Sequence, residues 1–125
     1  MLFRSVVQGS KSAVDLVVEG KARCAIVSED FYDKVEGVIV EIIEVNGKAA
    51  AINIEEENGV KHTLVVGEDR NDLVKTINKD LLPRLYTMNP KILVLKAKSL
   101  DTPDMEYLKH QLMVFKKLIV VLANS

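Results

Sequence analysis

The chain has 125 residues, of which 48% are hydrophobic and 28% charged, with a formal net charge of −1 and a single cysteine, Cys24. That length supports one domain with its own core, and the composition excludes a disordered or collagen-like chain. No apolar stretch reaches bilayer length, a lone cysteine excludes an intramolecular disulfide, and near-neutral charge supplies no global field for nucleic acid or anionic lipid.

The opening MLFRSVVQGS lacks the long apolar core and small-residue cleavage site of a signal peptide, so the expected compartment is the reducing cytoplasm. All six glycines (Gly9, Gly20, Gly37, Gly47, Gly59 and Gly67) fall where the hydrophobic pattern changes, and they divide the chain into elements. Residues 2–8 read as a short strand. Residues 11–19 follow Ser10, a good N-cap, and stop at Gly20, a good residue to end a helix. A strand is expected over 22–28, around Cys24-Ala25-Ile26-Val27.

The middle carries the sharpest signal. EGVIVEIIEV, NGK, AAINIEEE, NG and VKHTLVV place two Asn-Gly turns between β-rich runs, which predicts an antiparallel meander with strands at 38–45, 49–56 and 60–66. In the middle strand Ala50, Ile52 and Ile54 share one face, and Ala51, Asn53 and Glu55 the other, so one side is wet. Next, Asn71 is placed to cap a helix with Leu73, Val74, Ile77 and Leu81 along one stripe, ended or kinked by Pro83. KILVLKA (91–97) is a strand. Thr102 and Pro103 open a helix lined by Met105, Leu108, Leu112 and Phe115. KLIVVLA (117–123) is apolar on both parities; its β-branched residues favour a strand buried on both faces over a helix end. The expected architecture is one mixed α/β domain over residues 1–125, with three helices, six or seven strands and a three-stranded meander.

Candidate chemistry is sparse. At Gly20-Lys21 a single glycine follows a helix and precedes a strand, the reverse of a phosphate loop, so it reads as a helix-ending turn. The polar segments beyond three strands are Ser28-Glu29-Asp30, Glu68-Asp69-Arg70, and Lys98-Ser99 through Asp101-Thr102. Ligands in open α/β sheets bind beyond strand carboxyl ends, which makes Ser28, Glu29, Asp30, Asp69, Lys98, Ser99, Asp101 and Thr102 the candidate ligand-binding residues. His62 shares strand parity with Val60, Leu64 and Val66 and is read as a core histidine, whereas His110 faces solvent. Cys24 sits mid-strand and is read as a buried, inert thiol. Two histidines and one cysteine show no zinc-ligand spacing. Glu55-Glu56-Glu57 reads as a solvated hairpin end, and Phe31-Tyr32 is the one aromatic pair placed to cover a small ligand.

Charge is uneven along the chain: residues 1–60 carry 6 basic and 11 acidic groups, residues 61–125 carry 11 basic and 7 acidic. Aromatics are too few and too scattered for a base-stacking platform, which argues against nucleic acid. Three stretches resemble known families. Gly9 to Phe31, including Glu29-Asp30, is similar to the helix–glycine–strand unit of the L7Ae-type RNA-binding proteins, although Lys11 and Ser12 replace that family's polar RNA-reading residues. VVEGK (17–21) resembles the opening of Toprim domains, which implies a catalytic role for Glu19, although Gly67 replaces the first aspartate of the later pair. Residues 92–125 resemble the strand–loop–helix–strand unit of sugar-isomerase domains through Ser99, Thr102, Asn124 and Ser125, with Leu100 replacing the loop glycine. Each covers at most about a third of the chain, and shared supersecondary structure does not transfer function.

The leading functional expectation is a non-catalytic, self-associating cytoplasmic domain, a homodimer without a cofactor, that binds a small ligand or a protein partner. The first alternative is a Mg²⁺-dependent enzyme of phosphoryl chemistry, with Asp30, Asp69 and Asp101 as ligands and Lys98 stabilising charge. The second is an RNA-binding domain using the basic carboxyl-terminal half.

Overall fold

The computed structural model describes residues 9–123, so the strand expected over 2–8 lies outside the described residues. The elements in chain order are α1 (Gly9–Val18), β1 (Cys24–Ser28), β2 (Val38–Val45), β3 (Lys48–Glu55), β4 (Lys61–Val65), α2 (Arg70–Thr76), α3 (Leu82–Met88), β5 (Leu93–Ala97), α4 (Pro103–Leu112) and β6 (Leu118–Leu122). A π-helical segment, Ile77–Leu81, joins α2 to α3, so 70–88 run as one helix and the described chain has three helical units.

The strands form one six-stranded sheet in the order β1-β6-β5-β2-β3-β4. Pairing is parallel from β1 through β6 and β5 to β2, and antiparallel through the β2–β3–β4 meander. This is the mixed α/β sheet with a meander that the sequence predicts. KLIVVLA supplies β6, flanked by β1 and β5, which is why it is apolar on both faces.

Local chemistry explains most boundaries. At the end of α1 the Lys21 amide donates to the Leu16 carbonyl at 2.8 Å and the Gly20 amide to the Val17 carbonyl at 3.0 Å, with Gly20 at φ +80°. That is a Schellman cap, and it settles the Gly20-Lys21 step as a turn. In the first hairpin Asn46 and Gly47 both take positive φ, the type I′ turn that matches strand twist. A register shift between Ile43 and Glu44 makes Ala50 the extra residue of a bulge. Ala49 is consequently buried beside Ile52 and Ile54, whereas alternation alone assigns that place to Ala50.

The helix over 70–88 departs from expectation at both ends. Its N-cap is Asp69 rather than Asn71: the Asp69 side chain accepts from the Asn71 amide, and Asp72 closes a reciprocal capping box. Nor does Pro83 stop it. The Leu82 amide bonds to the Ile77 carbonyl five residues back, and Pro83 enters the first turn of α3, where no amide is needed. Leu73, Ile77, Leu81 and Leu85 are all buried. A strict four-residue spacing drifts around an α-helix, and the wider π turn brings the stripe back over the sheet. Asn89, in the left-handed conformation, ends the helix.

Two cores result. The larger joins the 70–88 helix and α4 to residues of β2 through β6, among them Ile52, Ile54, Leu64, Leu95 and Val120. The smaller joins Val14 and Val17 of α1 to Ala25, Val27, Val94, Ile119 and Val121 on the opposite face. Phe115, expected on the last helix, lies beyond it and stacks on Tyr86 with ring centroids 5.2 Å apart.

Candidate functional site

On the α1 face the register sets side chains in rows across the sheet. One row runs Val27, Val121, Lys96, Glu41, Asn53, Thr63 from β1 to β4, and the next runs Ala25, Ile119, Val94, Ile39, Glu55, Lys61. The first row turns polar from β5 onward and the second only at β3, because Tyr32 and Val35 join α1 on the core that Val94 and Ile39 belong to. The half of this face formed by β2, β3 and β4 is therefore open, with Val65 80% exposed at its far edge and Thr63 Oγ1 donating to Asn53 Oδ1 at 2.9 Å.

Between the covered and open halves lies a groove of about 430 Å³ beyond the carboxyl ends of β1, β6 and β5, beside β2. Its charged lining is Glu29, Glu41, Glu44, Lys96 and Lys98, with Ile43 and Val121 as apolar floor. Glu29 comes from the 3₁₀ turn after β1, and Lys98 from the loop after β5. Three carboxylates and two ammonium groups suit a small ligand carrying both a cationic and an anionic group.

Of the residues the sequence nominates, Glu29 and Lys98 meet in this groove. Ser28 accepts from the Asp30 amide at 3.4 Å and caps the 3₁₀ turn. Ser99 holds the Asp101 amide in the same way, at 3.4 Å. Thr102 caps α4 by accepting from the Met105 amide, and Asp69 caps α2. The structure does not bring Asp30, Asp69 and Asp101 together. Asp30 follows β1 and Asp69 follows β4, the two edges of the sheet, five strand spacings or about 24 Å apart. Metal–oxygen bonds of about 2.1 Å cannot bridge that gap. Among the described residues no group of three or more His, Cys, Asp or Glu side chains is arranged to hold a metal ion. Missed by sequence reasoning were Glu41, Glu44 and Lys96. Charges interrupting otherwise apolar strands were the available signal.

His62 does lie on the larger-core face, opposite Ile54, but it is half-buried rather than a core residue, with Nε2 bonded to Glu56 Oε2. Cys24 is the first residue of β1 rather than mid-strand, and is half-buried rather than buried. Burial raises its pKa above the ordinary thiol value, partly offset by the nearby Lys109 charge. Phe31 is exposed and Tyr32 packs on the smaller core, so neither lines the groove. No described helix is long and apolar enough to cross a membrane. No family model, curated protein or solved structure matches the chain.

Proposed function

We propose that the protein is a non-catalytic, self-associating domain that binds a small ligand of mixed charge in the groove beyond β1, β6 and β5. The observation that carries this reading is the convergence of Glu29, Lys98, Lys96 and Glu41 on one open cavity at strand carboxyl ends. That is where open α/β sheets place their ligands, and the volume matches a metabolite-sized molecule. Lys96 and Lys98 hold the anionic group, and Glu29 and Glu41 the cationic one.

Native mass spectrometry of the purified protein, without added ligand, tests it. A species carrying extra mass of roughly a few hundred daltons is expected, and Lys96→Glu with Lys98→Glu abolishes that mass by reversing the anion-binding charges. Bound mass that survives both reversals places the ligand elsewhere and overturns the assignment.

A further inference from the structure

The two edges of the described sheet differ in chemistry. β4 (KHTLV) carries Lys61, a charge that discourages strand addition, whereas β1 (CAIVS) carries none. The Leu118 amide donates to the Arg23 carbonyl at 2.9 Å, so the backbone of Arg23, Ala25 and Val27 faces β6. The N–H and C=O of Ile26 then face outward, and its side chain is 47% exposed. Exposed apolar residues also flank the strand along the chain: Leu16 and Val18 in α1 before it and Phe31 after it. The strand is also bracketed by opposite charges: Lys21 and Arg23 precede it, Glu29 and Asp30 follow it.

We propose that β1 pairs with β1 of a second copy about a two-fold axis through Ile26, making one sheet across the dimer. A strand that meets its own copy across such an axis runs antiparallel to it. The register then sets Ile26 opposite the partner's Ile26 and Ala25 opposite the partner's Val27, and it brings Arg23, just before one strand, toward Glu29 in the turn just after the other. The basic start of each strand meets the acidic end of the other, twice per dimer. Arg23 is held in place because its Nη2 donates to the Met113 carbonyl at 2.8 Å, and the guanidinium keeps further donors for a carboxylate. Because Glu29 also lines the groove, the partner's Arg23 reaches the rim of the ligand site. This interface rests on the self-association part of the reading above and shares Glu29 with the groove, so oligomeric state and bound mass are read separately.

Sedimentation velocity on the full chain is the first test. The wild type sediments as a dimer at micromolar concentration. Arg23→Glu and Glu29→Arg each weaken it by about tenfold or more, and the double reversal restores it. Recovery in the double variant separates a broken contact from a broken fold. Oxidation of Ile26→Cys in a Cys24→Ser background gives a covalent dimer, because opposed residues of a hydrogen-bonded pair have Cα atoms about 5.5 Å apart, within disulfide reach. Three results overturn the proposal: a monomer at all concentrations, a dimer indifferent to both reversals, or a monomer whose Ile26 amide resists hydrogen exchange, meaning the edge is filled within the chain. A monomer that still carries ligand mass removes the dimer alone, and a dimer without ligand mass removes the groove alone.

Discussion

The two faces of the sheet carry unequal weight. One packs against the 70–88 helix and α4 in a core that takes in residues of five strands; the other is covered by the ten residues of α1 over β1 and β6, with Tyr32 and Val35 beside it. In β3 the difference shows residue by residue: Ile52 and Ile54 are fully buried, while Asn53 and Glu55 between and beside them stay half-exposed. The same backbone and propensity serve both sets, so coverage decides what each position holds. Stability resides on the doubly covered face, which leaves the open half and its groove free to carry polar chemistry at little cost.

The widest split between the faces comes from truncating one buried and one open side chain. Leu81, the last residue of the π segment and without exposed surface, should cost about 3 kcal/mol of stability on Leu81→Ala, read as a lowered urea midpoint. Val65→Ala on the open face should change stability by less than about 0.5 kcal/mol. Equal losses would mean that the open half is covered. Gly37→Ala probes the seam between the parallel and antiparallel halves. A Cβ at Gly37 meets the backbone carbonyl of Ile92, which cannot retreat because it accepts from the Val38 amide at 3.0 Å. The expected cost is about 2 kcal/mol, through strain rather than lost burial. Removing the cap with Asp69→Ala should cost about 1 kcal/mol, and Asp69→Asn should recover most of it if the residue acts only as a helix cap.

These positions also show what the sequence makes legible. β2 was readable to its end residues because alternation and an Asn-Gly turn are local signals. The parallel order β1-β6-β5-β2 joins segments nearly a hundred residues apart, and nothing local encodes it. The groove inherits that limit. Glu29 and Lys98 follow strands and were nominated, but Glu41 and Lys96 lie within strands and gain meaning only when β5 is set beside β2. Asp69 and Asp101 were nominated by the same loop argument, and Asp69 proved to serve a helix cap. The run to Met88 was concealed by Pro83, since a π turn ahead of a proline depends on tertiary packing of Leu81 and Leu85.

Cys24 tests where the larger core thins toward β1. Its thiol pKa is raised by partial burial, so the folded protein holds less thiolate than an unfolded chain at the same pH. Alkylation should be slower in the native state than in urea, and slower by more than thiolate fraction alone explains if β1 is paired. The sign for stability follows. A raised folded pKa leaves stability intact below the ordinary thiol value, near pH 8.5, and erodes it as pH rises through the folded value. Cys24→Ser should remove that alkaline erosion.

The smallest expected effect is the most informative about the open face. Thr63→Val deletes the hydroxyl that donates to Asn53, at the β4 end of the polar row that crosses β5, β2, β3 and β4. On a solvated face, water replaces that bond and valine suits a strand, so stability should move by no more than about 0.5 kcal/mol in either direction. Under a bound partner the same substitution would strand the Asn53 oxygen without a donor, and the loss would reach about 1–3 kcal/mol. Measuring Thr63→Val by urea denaturation across a range of protein concentrations therefore asks whether this face stays open when copies associate. A constant, small shift keeps association at the β1 edge; a cost that grows with concentration moves it to the open face.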